Sequence, residues 1–160
     1  DFRAAEHTFQ QLFQVAGRAG RGEFPGRVLL QTYQPTHPVL MAICDGSRDT
    51  FMASDMNARR VAQMPPYGQL IAVIVESQKE SVLKKFCADL SALAPTAPGV
   101  KIMGPIAAQV YQARNWYRMR FLVAGGARTM LQPLVRRWME RARIPSRVRV
   151  KIDVSPQNFM

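Results

Sequence analysis

The sequence is poor in the residues that form disulfides and metal sites. It holds two cysteines and two histidines among 160 residues. Cys44 and Cys87 lie far apart, and neither has other Cys or His residues at the spacing of a ligand set. Isolated cysteines of this kind are usually small buried hydrophobic residues. We therefore expect both cysteines to be buried and the chain to hold no metal site.

Long apolar runs are also absent. No run approaches the roughly 18 residues of a membrane-spanning helix, and the first residues do not form a secretion signal. The hydrophobic fraction of 48% is nevertheless sufficient for a packed core. These features predict a soluble cytoplasmic protein without a membrane partner. Because the sequence begins at Asp1 and enters a helical pattern at once, we expect it to be part of a longer chain.

Acidic residues are scarce, and the charge is unevenly distributed. The chain has 22 Lys and Arg against 11 Asp and Glu, a net charge of +11. Residues 1–66 are almost neutral, with 7 basic and 6 acidic residues, whereas residues 67–160 have 15 and 5. A domain with this excess of cations usually binds a polyanion or an acidic protein segment. Nucleic acid is therefore the leading class of partner.

The first part of the chain predicts mostly helices. Apolar residues recur at helical spacing near its start, which predicts a helix that ends at Gly17 and Gly20. Residues 28–33 form a short apolar run between turn residues, and this pattern predicts a buried strand. Two further helices are predicted over 37–44 and 48–62.

A change of pattern after residue 68 predicts a second domain. Pro65 and Pro66 end the helical region, and the residues that follow predict strands and helices in the order βαββαβ. This order is that of the ferredoxin-like α/β fold. The predicted elements are a strand over 70–75, a helix over 79–93, strands over 100–103 and 116–123, a helix over 130–139 and a strand over 147–154.

Both helices of a βαββαβ domain cover the same face of the sheet, so the other face is open. Alternation along the last strand directs its apolar residues to the helices; these are Val148, Val150, Ile152 and Val154. The opposite face is predicted to bind DNA through five cations and one base-stacking indole, namely Arg118, Arg120, Arg147, Arg149, Lys151 and Trp116. The alternative is that these cations are solvated and that the indole caps a hairpin. Because both faces of residues 70–75 are apolar, we also expect some cover on the open side.

One short segment, Gln14 to Arg21 (QVAGRAGR), combines two glycines with two arginines. Glycine lets the backbone turn sharply, and guanidinium groups bind phosphate oxygens through paired, charge-assisted hydrogen bonds. The segment therefore suits a phosphate site. The alternative is a helix end with two solvated arginines, because cations are favoured at helix C-termini.

With a helix before it and a predicted strand after it, this segment resembles motif VI of the superfamily 2 helicases. The resemblance implies the end of a second RecA-like lobe, facing ATP and Mg²⁺ held by the other lobe. Arg21 would then be the principal arginine finger on the γ-phosphate and Arg18 its companion, with Gln14 and Gly17 at the nucleotide. A cation at this position stabilises the charge that develops on the γ-phosphoryl oxygens.

Other segments are similar to the PriA family of primosomal replication-restart helicases, and they lie on both sides of the predicted boundary. They include Arg3-Ala-Ala-Glu-His, His37-Pro38, Arg59-Arg60, Met64-Pro-Pro-Tyr67, Gly104-Pro105, Tyr117-Arg118 and Ile152-Asp-Val-Ser-Pro156. This resemblance implies a lobe end over 1–36, a helical linker over 37–68 and a DNA-binding domain over 69–160, similar in fold to a small-subunit ribosomal protein.

The same resemblance implies a parent protein that unwinds DNA with 3′ to 5′ polarity for replication restart and primosome assembly. Its expected partners are forked and single-stranded DNA, the acidic tail of single-stranded DNA-binding protein and other primosome proteins. It implies a cytoplasmic, nucleoid-associated location, and zinc held by ligands outside this chain.

Two helicase motifs are missing from the sequence. It contains no Gly-x-x-x-x-Gly-Lys-Ser/Thr loop and no Asp-Glu-x-His box, so we do not expect this chain to hydrolyse ATP alone. The alternative is a stand-alone basic module that binds nucleic acid or acts as an adaptor, in which QVAGRAGR is only a basic turn.

Overall fold

The structure is a computed structural model that describes residues 3–19 and 26–156, apart from the side chain of Gln109. The chain divides into two compact units, Asp1–Ala58 and Arg59–Met160, while the domain limits at 36 and 68 stay a prediction. The elements are α1 (Ala4–Ala16), α2 (Pro38–Cys44), α3 (Arg48–Val61), β1 (Gly68–Ser77), α4 (Glu80–Ala92), β2 (Val100–Ala113), β3 (Trp116–Gly126), α5 (Leu131–Arg141) and β4 (Val148–Val154).

Among the described residues of the first unit, the regular elements are helices, and α2 and α3 lie where helices were predicted, over 37–44 and 48–62. The Phe9 ring of α1 is buried and stacks on the Phe51 ring of α3, with 4.2 Å between the ring centroids. Val39 and Ala42 complete this small core. The start of α2 follows from its sequence, because proline is accommodated in a first turn and the His37 Nδ1 accepts a hydrogen bond from the Val39 N–H at 3.3 Å.

The strand predicted over residues 28–33 is wrong for this structure. These residues belong to no strand, and Leu29 and Tyr33 are 83% and 103% exposed. A strand requires a neighbour to pair its backbone N–H and C=O groups. No described residue of this unit is in a strand, so the apolar run has nothing against which to pair or pack.

The second unit has the predicted βαββαβ order. Its four strands form an antiparallel sheet in the order β2-β3-β1-β4, which with both helices on one face is the ferredoxin-like arrangement. Residues of β1 and β3 form one core with the inner faces of α4 and α5. The largest buried side chain of this core is Trp138, whose indole N–H donates to the Leu90 carbonyl at 3.0 Å.

Strand β2 is much longer than predicted. The sequence suggested an end at Gly104-Pro105, but the strand continues to Ala113 with register shifts after Met103 and after Ala107. The reason is its position: β2 is an edge strand, where proline can omit its N–H without breaking a sheet ladder. Gly104 has φ of +120°, and a Cβ there would lie 2.7 Å from the Arg120 carbonyl oxygen.

A contact with α4 anchors the added length of β2. The Tyr111 hydroxyl donates to Glu80 Oε1 at 2.7 Å, and the Lys84 Nζ lies 2.7 Å from the same oxygen. Both hydrogen bonds lower the pKa of the Glu80 carboxyl, and the one from Lys84 has the larger effect. The end of the strand is thereby tied to the first turn of the helix.

The predicted burial of β4 is only partly correct. Val148 is buried and Val150 packs against the core, as expected. Ile152 and Val154 lie on the same side, in a groove beside α5, but are 47% and 45% exposed. Because β4 is the second edge strand, its C-terminal half lies where α5 covers the sheet incompletely.

We expect Gly104→Ala to destabilise the chain by about 2 kcal/mol or more, because both its positive φ and its close approach to Arg120 oppose a side chain. The melting temperature measured by circular dichroism should fall by roughly 10 °C. Gly99→Ala is the control: Gly99 also has positive φ, +71°, but no atom lies within 4 Å of a Cβ there, so a loss of only about 1 kcal/mol is expected. Equal losses would show that the approach to Arg120 is unimportant.

Candidate nucleic-acid interface

The sheet face opposite the helices forms a groove of about 420 Å³. We call this surface the open face. Its floor is apolar and includes Ala72, Ile74, Met103, Ile106, Val110 and Leu122. Its charged residues are Glu76, Arg118, Arg120, Lys151 and Asp153. Its residues Met103, Ile106 and Val110 of β2 are between 40% and 49% exposed, and cover on this side stays a prediction.

Strand register explains how cations from distant parts of the sequence meet on this face. Alternate residues of β1 point to the open face. At one of them, Glu76, the paired residues are Arg118 of β3 and Arg149 of β4. At Ile74 the paired residues are Arg120 and Lys151. Two rows therefore cross the sheet on this face, one centred on Glu76 and one on Ile74. In each row a cation lies on either side of the β1 residue.

Glu76 is the central acidic residue of this arrangement, and it was not identified from the sequence. It is only 4% exposed. Its carboxylate oxygens lie 2.8 Å from the Arg118 Nε and 3.1 Å from the Lys151 Nζ. A buried carboxylate requires such partners, because an unpaired charge away from water is costly. An acidic residue directly after the apolar run 70–75 was the available signal.

Trp116 lies beside these rows and is already in contact with a cation. The Arg149 guanidinium lies 4.1 Å from the centroid of the indole ring, a distance typical of a cation–π interaction. Trp116 directly follows the β2–β3 turn, where Arg114 and Asn115 have φ of 49° and 63°. The indole is therefore at the turn end of the β2–β3 hairpin, with Arg149 over its ring.

Arg147 is placed differently from the other predicted DNA-binding residues. It precedes β4 and does not line the groove, and its carbonyl accepts a hydrogen bond from the Ser77 hydroxyl at 3.0 Å. Its side chain is exposed. The structure thus brings together Arg118, Arg120 and Lys151, with Arg149 and Trp116 alongside, and leaves Arg147 outside the groove.

The QVAGRAGR segment is described only in part. Helix α1 ends at Ala16 as predicted, and the Gly17 N–H donates to the Phe13 carbonyl at 2.9 Å. Gln14, Gly17 and Arg18 are exposed, whereas Gly20 and Arg21 lie outside the described residues. The roles of these residues at a nucleotide stay predictions.

The two cysteines differ from each other. Cys87 is buried in the core of the second unit, as expected, but Cys44 is exposed and that part of the prediction is wrong. Helix α2 has seven residues and buries Val39 and Ala42, and the helical rotation of 100° per residue places Cys44 away from this face. Among the described residues, no group of three or more Cys, His, Asp and Glu could hold a metal ion.

The fold and the open face define a small basic α/β domain with helices on one side of the sheet and cations on the other. Residues 60–157 match the family model described as the primosomal protein N C-terminal domain. None of the helices in the described ranges is long and apolar enough to span a membrane.

Known relatives extend this match over the whole chain. The chain is 36% identical over 159 residues to replication restart protein PriA of Rickettsia conorii, 34% over 166 residues to that of Bacillus subtilis and 32% over 165 residues to that of Haemophilus influenzae. These alignments cover 99%, 100% and 99% of this chain but 24%, 20% and 22% of the relatives. The chain belongs to the PriA family, and it spans a quarter or less of the length of these relatives.

Cysteine alkylation tests the two cysteine environments. Burial raises the pKa of the Cys87 thiol to about 11, so its reactive thiolate is rare near pH 8. We expect iodoacetamide to modify Cys44 in the folded chain and to modify Cys87 at least ~100-fold more slowly. Peptide mass spectrometry measures both rates, and denaturant should abolish the difference. Comparable rates in the folded chain would contradict the buried position of Cys87.

Proposed function

We propose that this chain acts in DNA replication restart as part of a PriA-type protein, and that the open face of its second unit binds single-stranded DNA. The relatives named above are replication restart proteins. The observation that carries the proposal is the collection of Arg118, Arg120, Arg149 and Lys151 around one helix-free face of the sheet.

Charge supports a polyanionic ligand. Residues 59–160 contain 17 Lys and Arg but only 5 Asp and Glu. Cations that bind phosphates release counterions, so this composition favours DNA at low salt. Because the open-face cations are held at paired strand positions, they form a fixed array rather than a mobile tail.

The neighbouring apolar surface supports single strands over duplex. Single-stranded DNA offers both phosphates and unstacked base faces, and proteins bind the latter with aromatic side chains. Trp116 is half-buried beside the cationic rows, and Met103, Ile106 and Val110 present an exposed apolar strip along β2. A ligand with both kinds of surface fits this combination.

Substitution of the cations Arg120 and Arg149 tests this proposal while leaving the ion pairs of Glu76 intact. We expect Arg120→Gln with Arg149→Gln to weaken binding of an oligothymidine of roughly 15 nucleotides about tenfold. The slope of log affinity against log salt should fall in magnitude by about 1.4, which corresponds to two single-strand phosphates. Fluorescence anisotropy of the labelled oligonucleotide measures both quantities with the chain 1–160.

Arg136→Gln with Arg137→Gln is the matched control, since it removes the same charge from the exposed side of α5. It should change affinity much less. Equal losses would indicate that only net charge matters, and absence of binding by the unsubstituted chain at about 50 mM salt would remove the DNA-binding role.

We further propose that the end of α1 contributes to an ATPase site in the parent protein. The support is the resemblance of QVAGRAGR to motif VI and the exposure of Gln14, Gly17 and Arg18 at the end of a helix. In this proposal Arg21 and Arg18 bind the γ-phosphate and couple ATP hydrolysis to 3′ to 5′ unwinding of forked DNA. Mg²⁺ with ATP, zinc held outside this chain, the tail of single-stranded DNA-binding protein and other primosome proteins belong to the same proposal.

Arg21→Ala in the full-length parent protein tests the arginine finger. DNA-stimulated ATP turnover should fall ~10³-fold, by analogy with other arginine fingers, while nucleotide still binds. Arg27→Ala, in an exposed residue of the following segment, should leave turnover close to that of the unsubstituted protein. Unchanged turnover in the Arg21 variant would exclude the role.

An adaptor role is the second candidate, and the exposed apolar floor of the open face favours it. Met103, Ile106 and Val110 are 40–49% exposed, which is also a property of surfaces that bind proteins. Under this candidate, substitution of Arg120 and Arg149 would not change DNA affinity.

A further inference from the structure

The most unusual feature of the open face is the carboxylate beneath its cations. The Glu76 side chain is 6% exposed, whereas the side chains of its partners Arg118 and Lys151 are 35% and 62% exposed. A ligand on this face can therefore contact the two cations directly, whereas the buried carboxylate acts on it only by electrostatic repulsion or attraction. This carboxylate, like the exposed one of Asp153 in the same groove, belongs to the site before any ligand arrives.

This position gives Glu76 an effect on any phosphate that approaches. A phosphate bound to Lys151 or Arg118 would lie well within a Debye length of the carboxylate, so the two anions repel each other with little screening. The phosphate must also share cations whose nitrogen atoms are 3.1 Å and 2.8 Å from the Glu76 oxygens. The carboxylate and the phosphate thus compete for the same two groups.

We propose that Glu76 is an internal counter-charge that competes with DNA phosphates for Arg118 and Lys151 and so lowers the affinity of the open face for DNA. The proposal rests on the DNA-binding role given above. If Glu76 competes in this way, the open face dissociates from a DNA strand faster than a face with the same number of cations and no buried carboxylate. Glu76 acts through Arg118 and Lys151, and it contacts no DNA itself.

A purely structural role is the competing explanation. The two ion pairs join β1 to β3 and β4, and this cross-strand connection alone could account for a buried acid. A structural role predicts that loss of the Glu76 charge leaves DNA affinity unchanged or reduces it. Competition predicts that the same change increases DNA affinity.

Glu76→Gln in the chain 1–160 separates the two explanations, because the amide keeps the shape of the side chain and removes its charge. Binding of the oligothymidine should become threefold to tenfold tighter at about 50 mM salt, with a salt slope steeper by about 0.7 to 1.4. Glu140→Gln is the matched control: Glu140 is an exposed acid of α5 paired with Arg136 at 3.0 Å, so its loss should change affinity less than twofold. Affinity that is equal to or below that of the unsubstituted chain would overturn the proposal.

A double variant guards against loss of folding. Glu76→Gln with Arg118→Gln replaces the shorter ion pair by two amides, leaves no unpaired buried charge and has the net charge of the original chain. The reference for this variant is Arg118→Gln alone, which loses the same cation from the open face. Competition predicts that the double variant binds the oligothymidine more tightly than this single variant, because Lys151 is released. Equal or weaker binding would show that Glu76 does not restrain Lys151.

These outcomes can be distinguished from those of the test of the DNA-binding role. If Arg120→Gln with Arg149→Gln weakens binding and Glu76→Gln does not strengthen it, the competition fails alone. If the unsubstituted chain does not bind the oligonucleotide, the DNA-binding role fails and the competition fails with it. Circular dichroism melting of each variant confirms that folded chains are compared.

Discussion

The organisation of the second unit depends on the pairing of β1 with β3 on one side and β4 on the other. Side chains of a strand alternate between faces, so this pairing fixes which residues enter the core and which meet on the open face. Val73 and Val75 are fully buried beneath the helices, while Ile74 and Glu76 lie between cations of both neighbouring strands. A shift of one residue in either register would exchange these two sets.

The same constraint explains the presence of an acid within a basic surface. The cations of β3 and of β4 lie on the two sides of β1, each about one strand spacing from it. At such distances the positive charges repel one another. Glu76 lies between Arg118 and Arg149 in register and contacts Arg118 and Lys151 directly. The carboxylate therefore offsets part of the repulsion within the cationic array and, under the proposal made above, lowers the positive charge available to a ligand.

Local patterns determined what could be predicted from the sequence. The alternation around Phe121 and the apolar stripe that includes Trp138 correctly placed β3 and α5, because both patterns depend on period alone. The length of β2 could not be predicted, because Pro105 is tolerated only through the edge position of this strand. The strand predicted over 28–33 does not form in this structure, because it has no partner strand among the described residues. The role of Glu76 could not be predicted either, because it depends on partners that are 42 and 75 residues away in the sequence.

The open face also shows why charge alone does not define its ligand. Under the proposed function, phosphates would contact Lys151 and Arg118, but they would make no contact that needs the apolar floor around Ile74 and Met103. Duplex DNA keeps its base faces stacked inside the helix, so this floor would gain little from it. A single strand can place phosphates on the cations and bases on the floor and Trp116 together. Under the proposed function, the combination of apolar and cationic surface is what selects the single-stranded part of a fork.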